Sequence, residues 1–218
     1  ELRRRNFIPP SAFPYTSPTG GSYEVADLPG VLEKALVLAD WNGFAARRKQ
    51  SQAAGKLRGI GIATVIENTG PGNAPVDEVE IQLDASGTVT AFMVAKAQGQ
   101  SHETTFGQIV AKALEIPLEK VKIVQCAPGT KLKGNGTGGS RSTVGAGSVC
   151  HLAAQKLIEE GMRLAALDLH VEPSQVVYAK GEFKSADSDR VVKLAQLAKD
   201  KTLSYMAEGK FGSTYPNG

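Results

Sequence analysis

The sequence predicts an α+β fold, a mixed sheet with packed helices. Three observations lead there. Helical patterning comes first, over residues 27–52, before any strand. Strand and helix patterns then intermingle, with tight connections such as Asp84-Ala85-Ser86-Gly87 that suit antiparallel neighbours. Glycine, at 24 of 218 residues, clusters at strand-to-helix junctions, as expected where backbone is shaped around a ligand.

The elements follow in chain order. Glu1-Leu2-Arg3-Arg4-Arg5-Asn6 reads as the last turn of a helix begun upstream, because cations suit a helix C-terminus and Pro9-Pro10 follows. On this reading the chain starts in mid-protein. Residues 7–24, rich in Pro, Ser, Thr, Gly and aromatics, read as an irregular connector. Asp27 can cap a helix carrying Leu32, Ala35, Leu36 and Leu38, Asp40-Trp41-Asn42-Gly43 interrupts it, and a basic helix continues from Phe44 to Ala53. Leu57 to Ile66 is β-branched and apolar, so a buried strand is expected, with Gly59 and Gly61 marking a close approach. Residues 68–75 form a Gly/Pro loop.

Glu78 to Leu83 alternates as a half-exposed strand, and Thr88 to Val94 returns beside it. A helix runs from about Ser101 to before Pro117, with Phe106, Ile109, Val110, Ala113 and Leu114 on one face. Val121 to Val124 is a short strand, residues 129–139 a Gly-rich loop, and Ser142 to Leu169 a long helix. Residues 176–184 read as a hairpin turning at Lys180-Gly181, residues 190–199 as a helix, and the tail as irregular. This places a connector with helices at 1–55 and an α+β domain, incomplete at its C-terminus, at 56–218.

Composition removes several function classes. With 41% hydrophobic and 22% charged residues the chain can bury a core. A formal charge of +3 is too weak for a nucleic-acid footprint, and 6% aromatics are too few for stacking platforms. Cys126 and Cys150 have no ligand-like spacing and read as buried or half-buried free thiols in a reducing compartment. No apolar run reaches membrane-spanning length, and no signal-peptide pattern follows the basic N-terminus.

Two glycine-rich turns concentrate the chemistry. Ala97-Gln98-Gly99-Gln100-Ser101-His102-Glu103-Thr104-Thr105 and Gly134-Asn135-Gly136-Thr137-Gly138-Gly139-Ser140-Arg141-Ser142-Thr143 each join a strand to a helix. A helix N-terminus presents unpaired N–H groups and the positive end of its dipole. Glycines before it let an anion reach the backbone. Gln98 and Gln100 add amides suited to a heterocycle edge, and Ser140, Ser142 and Thr143 add hydroxyls. Arg141 adds a forked cation. For either turn alone, Ser101, Ser140 or Ser142 can be an ordinary cap. Two such turns favour one ligand that spans both. The second lacks the Gly-Lys-Ser/Thr ending of a nucleoside-triphosphate loop. His102 has no nearby partner that would make it a base and reads as structural or supporting, and His151 and His170 read as core or surface groups.

Gln98 to Thr104 resembles the Gln-Gly-Gln-Gly-His-x-Thr motif of the xanthine oxidase and aldehyde oxidase family, and Gly136 to Ser142 resembles its Gly-Thr-x-Gly-Ser-Arg-Ser motif. Glu1 to Ile8, Lys56 to Gly61 and Tyr215 to Gly218 agree with it as well, so the resemblance spans nearly the whole chain, and is greatest to carbon monoxide dehydrogenase-like large subunits. It implies molybdenum held on a molybdopterin, in bacterial members extended as the cytosine dinucleotide. It implies oxidation of an aldehyde, an N-heterocycle or carbon monoxide with oxygen from water, and electrons passing through iron-sulfur clusters to FAD on other subunits or domains. By resemblance Gln98, Gly99, Gln100 and Ser101, with His102 and Thr104, face the pterin or its phosphates. Gly138, Gly139, Ser140, Arg141, Ser142 and Thr143 hold the dinucleotide end.

Ser101 stands where the family has Gly, and Gln125-Cys126-Ala127-Pro128-Gly129-Thr130 lacks the Asp of its Gly-Asp-Thr. The family's base, a glutamate in a Gly-x-Gly-Glu setting, has no counterpart here, so no catalytic residue is assigned and the piece by itself is expected to be inactive. Its expected partners are the rest of the large subunit, the iron-sulfur and FAD subunits or domains, a small-molecule substrate and, through uncovered apolar surface, a second copy. The thiols and family habit place it in the cytoplasm, with the periplasm as alternative. A non-catalytic anion or nucleotide module and a purely structural domain are the competing readings.

Overall fold

The computed structural model describes residues 1–67, 70 and 76–211. The expected loop at 68–75, apart from Gly70, and the Tyr215 to Gly218 motif lie outside the described residues. The chain divides into two compact units, Glu1–Glu67 and the described part of Asn68–Pro216.

In the first unit, helix α1 (Leu2–Asn6) leads into a short 3-10 turn and a two-residue ribbon, β1 (Tyr15–Thr16) antiparallel to β2 (Ser22–Tyr23), inside the stretch expected to be irregular. Helix α2 (Leu28–Leu38) starts where Asp27 predicts, its carboxylate accepting from the Gly30 N–H at 2.9 Å. A 3-10 turn at Trp41–Gly43 breaks it from α3 (Phe44–Ala53). The buried strand expected at 57–66 does not form. The segment makes no ladder in the described structure and is exposed, Leu57 at 96% and Val65 at 87%. β-branched residues favour extension, but a strand is completed by a neighbour's hydrogen bonds, and none of the described residues supplies them. Gly59 and Gly61 accordingly have no atom within 4 Å of where a Cβ would stand.

The second unit is built on a four-stranded mixed sheet. Strands β3 (Asp77–Leu83) and β4 (Val89–Met93) form the expected hairpin. Helix α4 (His102–Ala113) then crosses over to β5 (Val121–Gln125), which runs parallel to β4. A π-helical turn (Thr143–Gly147) opens α5 (Ser148–Leu169). A second sheet follows, β6 (Val177–Ala179), β7 (Glu182–Ser185) and β8 (Ser188–Lys193), and the chain returns as β9 (Leu203–Gly209). The main sheet has the order β5-β4-β3-β9.

Two expectations are corrected. Residues 190–199 are not a helix: β8 runs to Lys193 and only a 3-10 turn follows, because Val192 pairs with the fully buried Phe183 of β7. The tail is not all irregular: β9 pairs with β3 along all of Leu203–Gly209. Its residues alternate, with Leu203, Tyr205 and Ala207 more buried than Ser204, Met206 and Glu208, and the edge of β3 supplies the ladder.

Val79, Ile81 and Leu83 of β3 pack with Phe106, Val110 and Leu114 of α4 and Val149, Ala153 and Leu157 of α5, all fully buried. A Cβ on Gly161 of α5 would overlap the Phe183 ring. Gly161→Ala is therefore expected to cost about 1–3 kcal/mol in urea unfolding, despite alanine's better helix propensity. An unchanged midpoint would show that the ring yields freely.

Burial pushes the Cys150 thiol up from 9.0 to about 12, with Asp77 adding to it. Burial and then Glu115 push the Tyr178 phenol from 10.0 to about 12, while its hydroxyl donates to the Leu114 carbonyl at 2.5 Å. The unfolded chain releases both protons first, so the folded state holds more protons between pH 9 and 12 and stability falls as pH rises through that window. Urea midpoints that stay level from pH 8.5 to 11 would contradict this. Cys126 is exposed, contrary to expectation, and Cys150 is buried. Among the described residues no helix is long and apolar enough to cross a membrane.

Candidate functional site

Both glycine-rich turns line one cleft of about 440 Å³, through Gln100, His102 and Thr105 from the first and Thr137, Gly138, Ser140, Ser142 and Thr143 from the second. The turns are brought together because β4 and β5 are parallel neighbours. Each strand's C-terminal end therefore delivers its loop to the same end of the sheet.

In the first turn Ser101 takes the left-handed conformation, φ 61°, and caps α4 without a side-chain hydrogen bond. Glycine adopts that backbone more cheaply, which gives the family's usual glycine a physical reason. The Gln100 amide folds back to accept the Gln98 N–H at 2.5 Å. His102 is 4% exposed, its ring centred 4.7 Å from that of Phe106, and its buried Nδ1 has no hydrogen-bond partner among the described residues. Gln98, Gly99, Ser101 and Thr104 belong to this turn and are exposed, but are not among the cleft-lining residues.

The second turn departs from expectation at Arg141. The guanidinium read as a fork for the ligand is 3% exposed and pairs with Asp77 at 2.5 Å. It turns inward to Asp77, at the buried start of β3, where a buried carboxylate needs a counter-charge. That carboxylate also accepts the Asn135 N–H at 3.2 Å. A Cβ on Gly145 would overlap Asp77 Oδ2, so glycine there makes room for the pair. Arg141 is thus a pin for the turn, and among the described residues the cleft is lined by hydroxyls, an amide and an imidazole, with no carboxylate. Gly138 is open and Gly139 has φ 61°. The helix expected from Ser142 opens instead with the π turn, in which Gly147 lies against Ile109 and Phe106 of α4.

Sequence reading misses Asp77 and Gln125, and assigns no role to Thr105 and Thr137 although both lie in the two turns. Gln125 ends β5, accepts the Ala97 N–H at 2.6 Å and donates to Glu103 at 2.5 Å. Thr137 donates to the Lys96 carbonyl at 2.7 Å and lies 3.4 Å from the Ser142 hydroxyl. Asp77 sends no local signal, since its partner is 64 positions away. His151 and His170 are exposed and outside the cleft lining. Among the described residues no three His, Cys, Asp or Glu side chains gather as a metal-ligand set. The arrangement is chemically a binding surface: two helix N-termini and neutral donors facing one space.

A family model described as the molybdopterin cofactor-binding domain matches residues 34–217. The chain is 34% identical over 232 aligned positions to the carbon monoxide dehydrogenase large chain of Afipia carboxidovorans, an alignment covering all of this chain and 28% of that one. It is 31% identical to the nicotine 6-hydroxylase large subunit of Paenarthrobacter nicotinovorans, covering 83% of this chain and 23% of the other. Among solved structures it is similar to a Cu,Mo-CO dehydrogenase, with a TM-score of 0.61, 31% identity, and 96% of this chain matched to 30% of that one. The chain thus spans less than a third of the length of these relatives.

Proposed function

The chain belongs to the molybdopterin cofactor-binding domain family, and from that premise we propose that its two glycine-rich turns hold a molybdopterin in the cytosine dinucleotide form. The observation that carries this reading is the common cleft: turns 37 residues apart in sequence, from Gln100 to Thr137, face one hydroxyl-rich space with no carboxylate among its described lining residues. The residues fit such a group. Among the described residues the buried His102 Nδ1 lacks a partner, and a Cβ at Gly99, Gly136 or Gly138 would meet nothing within 4 Å, which leaves the backbone accessible. Unpaired N–H groups at the start of α4 add a field that favours phosphate.

Gln100 and His102, which line the cleft, would serve the heterocycle edge, with the exposed Gln98 beside them. The backbone at Gly138 and Gly139 and the hydroxyls of Ser140, Ser142 and Thr143 would hold the phosphates and nucleotide. When bound, the cofactor supplies a molybdenum redox centre for oxidising a substrate carbon with oxygen from water. This chain's part is to seat and orient it, with Arg141 holding the second turn from beneath. We assign the chemistry to a larger assembly that adds a base, substrate-contacting loops and iron-sulfur and FAD partners, since the chain matches 28% of the Afipia relative. The relatives' names, carbon monoxide dehydrogenase and nicotine 6-hydroxylase, support a small molecule as the substrate of that assembly.

Titration calorimetry with cytidine 5′-diphosphate tests the nucleotide end. Binding is expected, with Ser142→Ala/Thr143→Ala weakening it about tenfold, roughly 1.4 kcal/mol. No heat at millimolar nucleotide would sink the dinucleotide reading. Acid release of cytidine monophosphate from protein purified without oxygen would support it independently.

A further inference from the structure

The peptide unit joining Lys96 to Ala97 is held at both ends by side chains from different elements. Its carbonyl accepts from Thr137 Oγ1 at 2.7 Å, and its N–H donates to Gln125 Oε1 at 2.6 Å. Both atoms belong to one planar amide, so they move together. Polarising the carbonyl also makes the N–H a better donor, so each hydrogen bond strengthens the other.

We propose that this amide is a clamp that sets the spacing of the two turns, with Thr137 and Gln125 as positioning residues for the cofactor cleft. Gln125 is itself fixed by the sheet, in register with Met93, where the next N–H, that of Cys126, donates to the Met93 carbonyl at 2.8 Å. Its Nε2 is anchored on Glu103 at 2.5 Å, in the first turn of α4. The sheet end, the start of α4 and the first turn are therefore fastened through one side chain. Thr137 brings in the second turn. A hydroxyl has one proton, and Thr137 spends it on Lys96, so toward Ser142, 3.4 Å away, Thr137 can only accept. The Ser142 hydroxyl thus takes its direction from the same clamp, in a residue that lines the cleft.

The proposal rests on the cofactor reading of the cleft for its purpose, though not for its geometry. Thr137→Val removes the donor at nearly constant volume, and Thr137→Ser keeps it. In the unliganded full chain, hydrogen exchange of the Ala97 amide is expected to be at least tenfold faster in Thr137→Val than in wild type, and near wild type in Thr137→Ser. Cytidine 5′-diphosphate affinity is expected to follow the same order, with about a tenfold loss and its recovery, while urea unfolding separates both from global destabilisation. If Thr137→Val does not fold, Gln125→Met removes the opposite end and carries the same expectations. Unchanged Ala97 exchange in the folded variant overturns the clamp. Wild-type nucleotide affinity in Thr137→Val, with Ala97 exchange accelerated, overturns its positioning role. No nucleotide binding by wild type, with the exchange pattern as expected, leaves the clamp standing and overturns the cofactor reading.

Discussion

Asp77→Ala is expected to lower the unfolding free energy by about 3–5 kcal/mol, because it strands the Arg141 guanidinium without its counter-charge in a site where both partners are almost fully buried. Among the described residues the Nε of Arg141 has no hydrogen-bond partner, so the ion pair with Asp77 is the guanidinium's contact there. Asp77 also accepts the Asn135 N–H, and that donor would be orphaned with it. Removing both charges is a different matter. Asp77→Leu/Arg141→Met replaces a desolvated pair with apolar volume and should recover most of the loss. Urea denaturation of the two variants and of Arg141→Met measures this. A loss below about 1 kcal/mol in Asp77→Ala would mean that the charge reaches water or another partner. The double variant should remain folded yet bind cytidine 5′-diphosphate less tightly, since the pair pins the turn that carries Ser140, Ser142 and Thr143.

Phe106→Ala is expected to cost about 3–5 kcal/mol, the range for emptying a fully buried aromatic site. This ring does more than fill space. It stacks on His102 at 4.7 Å, and its Cε1 lies 3.6 Å from where a Cβ on Gly147 would stand, so it sits where the starts of α4 and α5 meet. Truncation should therefore loosen the cleft as well as the core. Phe106→Leu keeps most of the volume and should lose about 1.5 kcal/mol or less. Thermal melts rank the three proteins. Equal destabilisation by Ala and Leu would show that shape, not volume, governs the site.

Much of the fold is legible locally. Asp27 announces α2 because a short carboxylate satisfies an orphan N–H three residues on. Glu78 to Leu83 announces a strand because one face must be apolar and side chains alternate. The two glycine-rich turns are visible because Gly99, Gly136 and Gly139 take positive φ, a backbone that glycine adopts most cheaply. Where local pattern misleads, a distant partner decides. Leu57 to Ile66 has the composition of a strand and lies exposed, with no ladder among the described residues, and Leu203 to Gly209, whose residues alternate, becomes a strand because β3 offers it an edge. Val191 and Val192 look helical in their window but are drawn into β8 by pairing with β7.

The site divides in the same way. Sequence alone determined its chemistry: two helix starts, glycine backbone, amides and hydroxyls, in an order that also carries the family resemblance. Those properties are local, since a turn's accessibility and a helix's dipole depend on a handful of adjacent residues. Only the tertiary structure decided how the pieces are used. It set the turns on one cleft through the parallel pairing of β4 and β5, turned Arg141 inward onto Asp77, and fastened the Lys96–Ala97 amide between Thr137 and Gln125. Each of these joins residues 28 to 64 positions apart, and a hydrogen bond or ion pair over such a span exists only once the sheet has closed the loop between them.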